Sequence, residues 1–198
     1  MKVNFFNLSP EEKVAYLHDL AELMGVLPDW EVLASVRPQV EPHFLPVAQR
    51  IASRLKAHPF TQEVSDVTQA LANIAHVYFS PPHLDAQYME RRASAGKAYL
   101  EAGFSMASLV GGIYGLWVDE WTRVFEELFS HDPPLLARLN RAMAKVALYN
   151  LALVAQQFTH ESEVLAKEME ERLLNKFLKA TGISRELYQQ MAKTAEGE

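Results

Sequence analysis

The sequence predicts an all-α fold with an extended C-terminal helix, and three observations carry that prediction. Apolar residues recur at three- and four-residue spacing through almost the whole chain, the period of a helix with one buried face. Strand signals are missing: there is no Asn-Gly or Asp-Gly turn, no alternating apolar run and no internal repeat. Finally, Leu135 to Thr181 contains neither glycine nor proline, so one long helix can run on past a compact body.

The elements follow in order. Ser9-Pro10-Glu11-Glu12 is a helix start, with Ser9 as cap, Pro10 in the first turn and Glu12 closing a capping box. Val14, Leu17, Leu20, Ala21 and Met24 line its inner face, and Gly25 and Pro28 end it. A short helix is expected over Trp30 to Val36. Another begins near Pro42, with Leu45, Val47, Ala48, Ile51, Ala52 and Leu55 inward, and stops at His58-Pro59. Thr61 to Phe79 reads as helix, with Val64, Val67, Leu71, Ile74 and Ala75 inward, and Ser80-Pro81-Pro82 breaks it. Leu84 to Gly103 and Ser105 to Phe129 follow. Asp132-Pro133 caps the long helix, and Gly182-Ile183-Ser184 separates it from a last short helix that frays toward Glu198.

Length and composition bound the function. A chain of 198 residues fits one domain able to bury a real core, and we divide it into a body over residues 1–160 and a helical extension over 161–198. There is no cysteine, which excludes disulfides, thiol nucleophiles and zinc–cysteine sites and suits a reducing cytoplasm. The amino terminus lacks the apolar core of a signal peptide. The most apolar stretch, Phe104 to Val118, is shorter than the roughly 18 residues of a membrane span. A net charge of −6 without a basic stripe argues against nucleic acid. No nucleophile elbow, glycine-rich phosphate loop or His-Glu-x-x-His is present, so catalysis is not expected.

The segment Tyr88 to Phe104 carries a family resemblance. It holds an aromatic residue (Tyr88), Glu90, the basic pair Arg91-Arg92, the small step Ala95-Gly96 and then Gly103-Phe104. Leu109 and Gly111-Gly112 match an aromatic position and a small pair in the next helix, and His76 falls close to a histidine of the preceding one. In this pattern the chain resembles the globin-coupled sensors, over roughly Ser9 to His160. The resemblance implies a globin-like sensor fold. It also implies a homodimer paired through helices 105–129 and 135–180, with the final helix leading to an output partner.

Two positions depart from the family. Its haem-ligating histidine is Tyr99 here, and the aromatic pair that reaches the bound gas becomes Ile51-Ala52. Imidazole suits ferrous haem, whereas tyrosine must bind as phenolate and favours ferric iron. Arg92 or Lys97 could help Tyr99 ionise, though neither is expected on its face. The plainer expectation is that Tyr99 fills part of the pocket with its ring and hydrogen-bonds a neighbour. The chain thus resembles the haem-free globin domains of some stress-signalling proteins, and its pocket is either filled by side chains or open to another apolar ligand.

The cofactor expectation is therefore none, with haem on Tyr99 or on His76 as the alternative. Ile51, Ala52, Gly96 and Gly103 complete the candidate site. The remaining histidines form no metal signature. Gly111 and Gly115 are expected at a close helix contact, and Leu109, Tyr114, Trp117 and Trp121 suit either a dimer face or an ordinary core helix, the two readings being equally open. Past His160, Leu165, Met169, Leu173 and Phe177 give an amphipathic helix that can pack on the body or on a partner.

Overall fold

The computed structural model describes residues 4–59, 61–62 and 65–196, and among these every regular element is a helix. The chain divides into two compact units, Met1–His160 and Glu161–Glu198.

Helix α1 spans Pro10–Met24. Its capping box is made as the sequence suggests: Glu12 N–H donates to Ser9 Oγ at 3.2 Å and Ser9 N–H to Glu12 Oε2 at 2.7 Å. Gly25 ends it in the left-handed region at φ 57°, where a side chain would be strained. Lys13 is buried on its inner face, which the apolar pattern did not suggest, and its ammonium meets Glu90 at 2.8 Å.

Helix α2, Leu27–Ser35, starts earlier than expected, because Pro28 serves its first turn as well as closing α1. The short α3, Arg37–Val40, and a 3-10 turn at Glu41–His43 lead into α4, Phe44–Ala57. Helix α4 stops at His58, held extended before Pro59.

Helix α5 corrects the sequence reading. It spans only Thr68–Tyr78 and does not begin at Thr61. The Thr61 hydroxyl donates to Leu55 O at 2.6 Å and ties that residue to the end of α4. Asp66 then accepts from the Thr68 amide at 2.9 Å and hydroxyl at 2.7 Å, fixing the start of the helix. Val64 lies outside the described residues.

Helix α6, Ala86–Glu101, is capped by Asp85, whose carboxylate accepts from the Tyr88 amide at 2.6 Å. The next segment is not one uniform helix. Ser108–Gly115 is π-helical and α7 occupies Leu116–Phe129. Gly111, Gly112 and Gly115 weaken the tighter α ladder there. Helix α8 runs unbroken over Pro133–Thr181, and Gly182, at φ 73°, precedes α9, Arg185–Glu196. Gly197 and Glu198 lie outside the described residues.

In the first unit α4 packs on α5 and α7, and α1 on α6. An aromatic belt joins α4, the end of α5 and α7: Phe79 lies 5.5 Å from Phe44 and 4.5 Å from Trp121, ring to ring. At its rim the buried Glu120 carboxylate accepts from Arg50 at 2.6 Å and Arg54 at 2.9 Å. Asp29 on α2 pairs with Lys145 on α8 at 2.8 Å.

In the second unit α9 folds back on α8, with Phe177 6.0 Å from Tyr188 and Arg185 donating to Asn175 at 2.8 Å. Leu165, Met169 and Leu173 stay exposed. Among the described residues no helix is long and apolar enough to cross a membrane.

Candidate functional site around Tyr99

Helix α6 places Tyr88, Arg92, Gly96 and Tyr99 on its buried side, at spacings of three and four residues. Gly96 is where α6 meets α8. A Cβ there would lie 2.6 Å from Val154 O and 3.0 Å from the Phe158 amide, so only glycine fits. The small step that resembles a cofactor-pocket position therefore serves a backbone-to-backbone helix crossing. Gly103 ends the same helix region at φ 87° and is exposed, with open space around it.

Tyr99 is buried, and its ring packs edge-on against Phe104 at 5.4 Å. The expected hydrogen bond to a neighbour is not made: among the described residues its hydroxyl has no partner within the protein. Burial pushes its pKa up to about 12, and the nearby Arg92 charge offsets only part of that.

Arg92 corrects a further expectation. Two helical turns before Tyr99, it shares Tyr99's inward face and is only 5% exposed, whereas Lys97 points to solvent. Its guanidinium carbon sits 5.6 Å from the Tyr88 ring centre. Tyr78 from α5 and Tyr114 from the π-helical segment also feel its charge, and both are held protonated by burial. Tyr88 differs from its neighbours in having a fixed acceptor: its hydroxyl donates to Asn150 Oδ1 at 2.7 Å, and Asn150 in turn donates to Val146 O at 2.9 Å.

The other two departing positions, both on α4, are apolar. Ile51 is fully buried and Ala52 almost so, and neither side chain can hydrogen-bond a ligand. His76 does not join them. Its side chain is half exposed, its Nδ1 lies 3.0 Å from Arg37 Nη2 and 3.8 Å from Glu41, and its ring stands edge-on to Phe44 at 4.8 Å. It belongs to a surface group, which removes the reason for treating it as a rescue ligand. Among the described residues no group of His, Asp and Glu is placed to hold a metal ion.

This donor set does not suit haem. An iron-bound tyrosine must give up its proton, and burial of Tyr99 opposes that.

Of the two sequence readings of the segment after α6, core helix or dimer face, burial favours the core for its large side chains. Leu109, Tyr114, Trp117 and Trp121 are interior residues of their own chain. The outward side of this region is Ala107, Val110, Gly111 and Gly115 instead. A Cβ on Gly111 would meet open space, and one on Gly115 only its own helix, so neither is at a close contact within the chain. Only Gly112 packs inward, against Leu55. A cleft of about 660 Å³ opens beside this stretch, between Leu55 and Thr61 on one side and Ser108 and Leu116 on the other.

No family model matches the chain, and no curated protein is significantly similar to it.

Proposed function

We propose that the chain is a globin-like, signal-sensing regulatory module that works without haem, acts as a homodimer and is not an enzyme. The observation that carries this reading is the environment of Tyr99. The position where the resembling family binds iron holds a phenol kept protonated by burial, with a buried arginine on the same helix face. The pattern from Tyr88 to Gly112 supports the globin-like frame.

Dimerisation would use residues 105–129 and 135–180. Support comes from apolar or small residues left outward on these helices: Val110 is 43% exposed, Leu148 57%, and Gly111 offers an unobstructed backbone. Small residues let helices approach closely, and apolar side chains give the burial that holds them. A signal would shift this helix pairing and pass along α8 to a protein partner. Nucleic acid and membrane spanning have no part in this reading, and the location we assign is cytoplasmic.

Sedimentation velocity tests the assembly. We expect a dimer at micromolar concentration, and a monomer for Gly111→Arg combined with Leu148→Glu. A monomeric native chain at tens of micromolar would defeat the dimer mechanism.

A further inference from the structure

We infer that Arg92 is the core of an internal anion site, in which its guanidinium and the hydroxyls of Tyr78, Tyr99 and Tyr114 hold one small monovalent anion. The inference does not depend on the globin-like reading.

Arg92 is 95% removed from solvent, since only 5% of its surface is exposed. Among the described residues it makes no hydrogen bond and no ion pair, and its Nε is a buried donor without an acceptor. An isolated buried cation is expensive, and most side chains escape by losing their proton. Arginine cannot do so, because it stays protonated at any ordinary pH. Among the described residues the other buried cation, Lys13, has its carboxylate partner in Glu90. Arg92 has none.

The tyrosines cannot serve as counter-ions. Burial holds Tyr78, Tyr88, Tyr99 and Tyr114 in the neutral form near pH 7, so each is a donor and not a phenolate. Tyr88 has spent its proton on Asn150. The hydroxyls of Tyr78, Tyr99 and Tyr114 make no hydrogen bond to the described residues, and Trp117, packed 5.0 Å from Tyr78, has an indole N–H that is also unpartnered. Arg92 thus lies among neutral tyrosines that feel its charge and cannot cancel it.

A single anion answers both needs, and the planar guanidinium fork fits a carboxylate as well as a halide. Sulfate or phosphate would leave net negative charge uncompensated in the same interior.

The test is thermal unfolding of the full chain in chloride, in acetate and in gluconate (too bulky to enter) at matched ionic strength. We expect chloride, acetate or both to raise Tm saturably by about 2–4 °C over gluconate. Arg92→Met should abolish the rise, and Arg92→Lys should keep part of it. A response to chloride alone identifies a halide site, and one to acetate alone a carboxylate site. An equal, non-saturating rise in native and Arg92→Met chains would be a general salt effect and would overturn the proposal. If Arg92→Met fails to fold, the native chain still decides: a saturable anion-dependent change in its tyrosine near-ultraviolet circular dichroism supports the site, and a flat response overturns it.

Discussion

Gly96→Ala adds one methyl group where α6 crosses α8, and the structure gives the size of the collision. The new Cβ would sit 2.6 Å from Val154 O, 3.0 Å from the Phe158 amide nitrogen and 3.1 Å from Gln157 Cβ, whereas ordinary contact begins at 3.4 Å. Two of the three obstacles are backbone atoms of one helix, so no rotamer change relieves them and the helices must part by several tenths of an ångström. Overpacking of this kind costs about 1–3 kcal/mol, with the upper end apt for backbone obstacles. Alanine returns about 1 kcal/mol through its better helix propensity. The net loss is about 2 kcal/mol, or roughly 4–8 °C in Tm for a domain of this size. Differential scanning calorimetry of the native and variant chains measures it. An unchanged or higher Tm for Gly96→Ala would refute the crossing, and with it the account of why a small residue stands there.

Other predictions follow from the polar interior. Asn150→Ala strands the buried Tyr88 hydroxyl and should cost about 1–3 kcal/mol in urea unfolding; adding Tyr88→Phe should recover much of that in a double-mutant cycle. Asp119 and Glu120 have pKa values below the usual carboxylate range. For Asp119 the Arg54 hydrogen bond is the main cause; for Glu120, burial raises the pKa but the hydrogen bonds from Arg50 and Arg54 outweigh it. A depressed folded-state pKa contributes stability above the unfolded value, near pH 4, that is lost as pH falls through the folded value. The urea midpoint should therefore fall on acidification below about pH 4, and Glu120→Gln should lower stability at pH 7 while making that acid limb shallower.

Helix starts and stops were legible where one local side chain makes them. Ser9 with Glu12, Gly25, Asp132 and Gly182 each act within a few residues, so the sequence displays them directly. The start of α5 was hidden, because Thr61 is diverted by Leu55 O, a bond that periodicity cannot show. The π-helical turn at Ser108–Gly115 was hidden too, since glycines signal a weak α ladder without saying what replaces it.

At the site, the departures at Tyr99, Ile51 and Ala52 were visible as residue types, but not their surroundings. Arg92 was recognised as a charge that could act on Tyr99 but was set off its face, whereas it is buried on that face. Its spacing from Tyr88, Gly96 and Tyr99 was the available signal, since residues two helical turns apart share a side. His76 erred in the other direction. One helix face carries both core and rim, and only its contacts with Arg37 and Glu41 place it at the rim.

The central claim, a regulatory module that works without haem, is tested most directly by visible absorption during haemin titration of the purified full chain. The account predicts no saturable Soret band at one haem per chain, and the same weak, nonspecific response in Tyr99→Phe. A strong Soret band saturating at one equivalent, with phenolate-to-iron absorption that disappears in Tyr99→Phe, would contradict it.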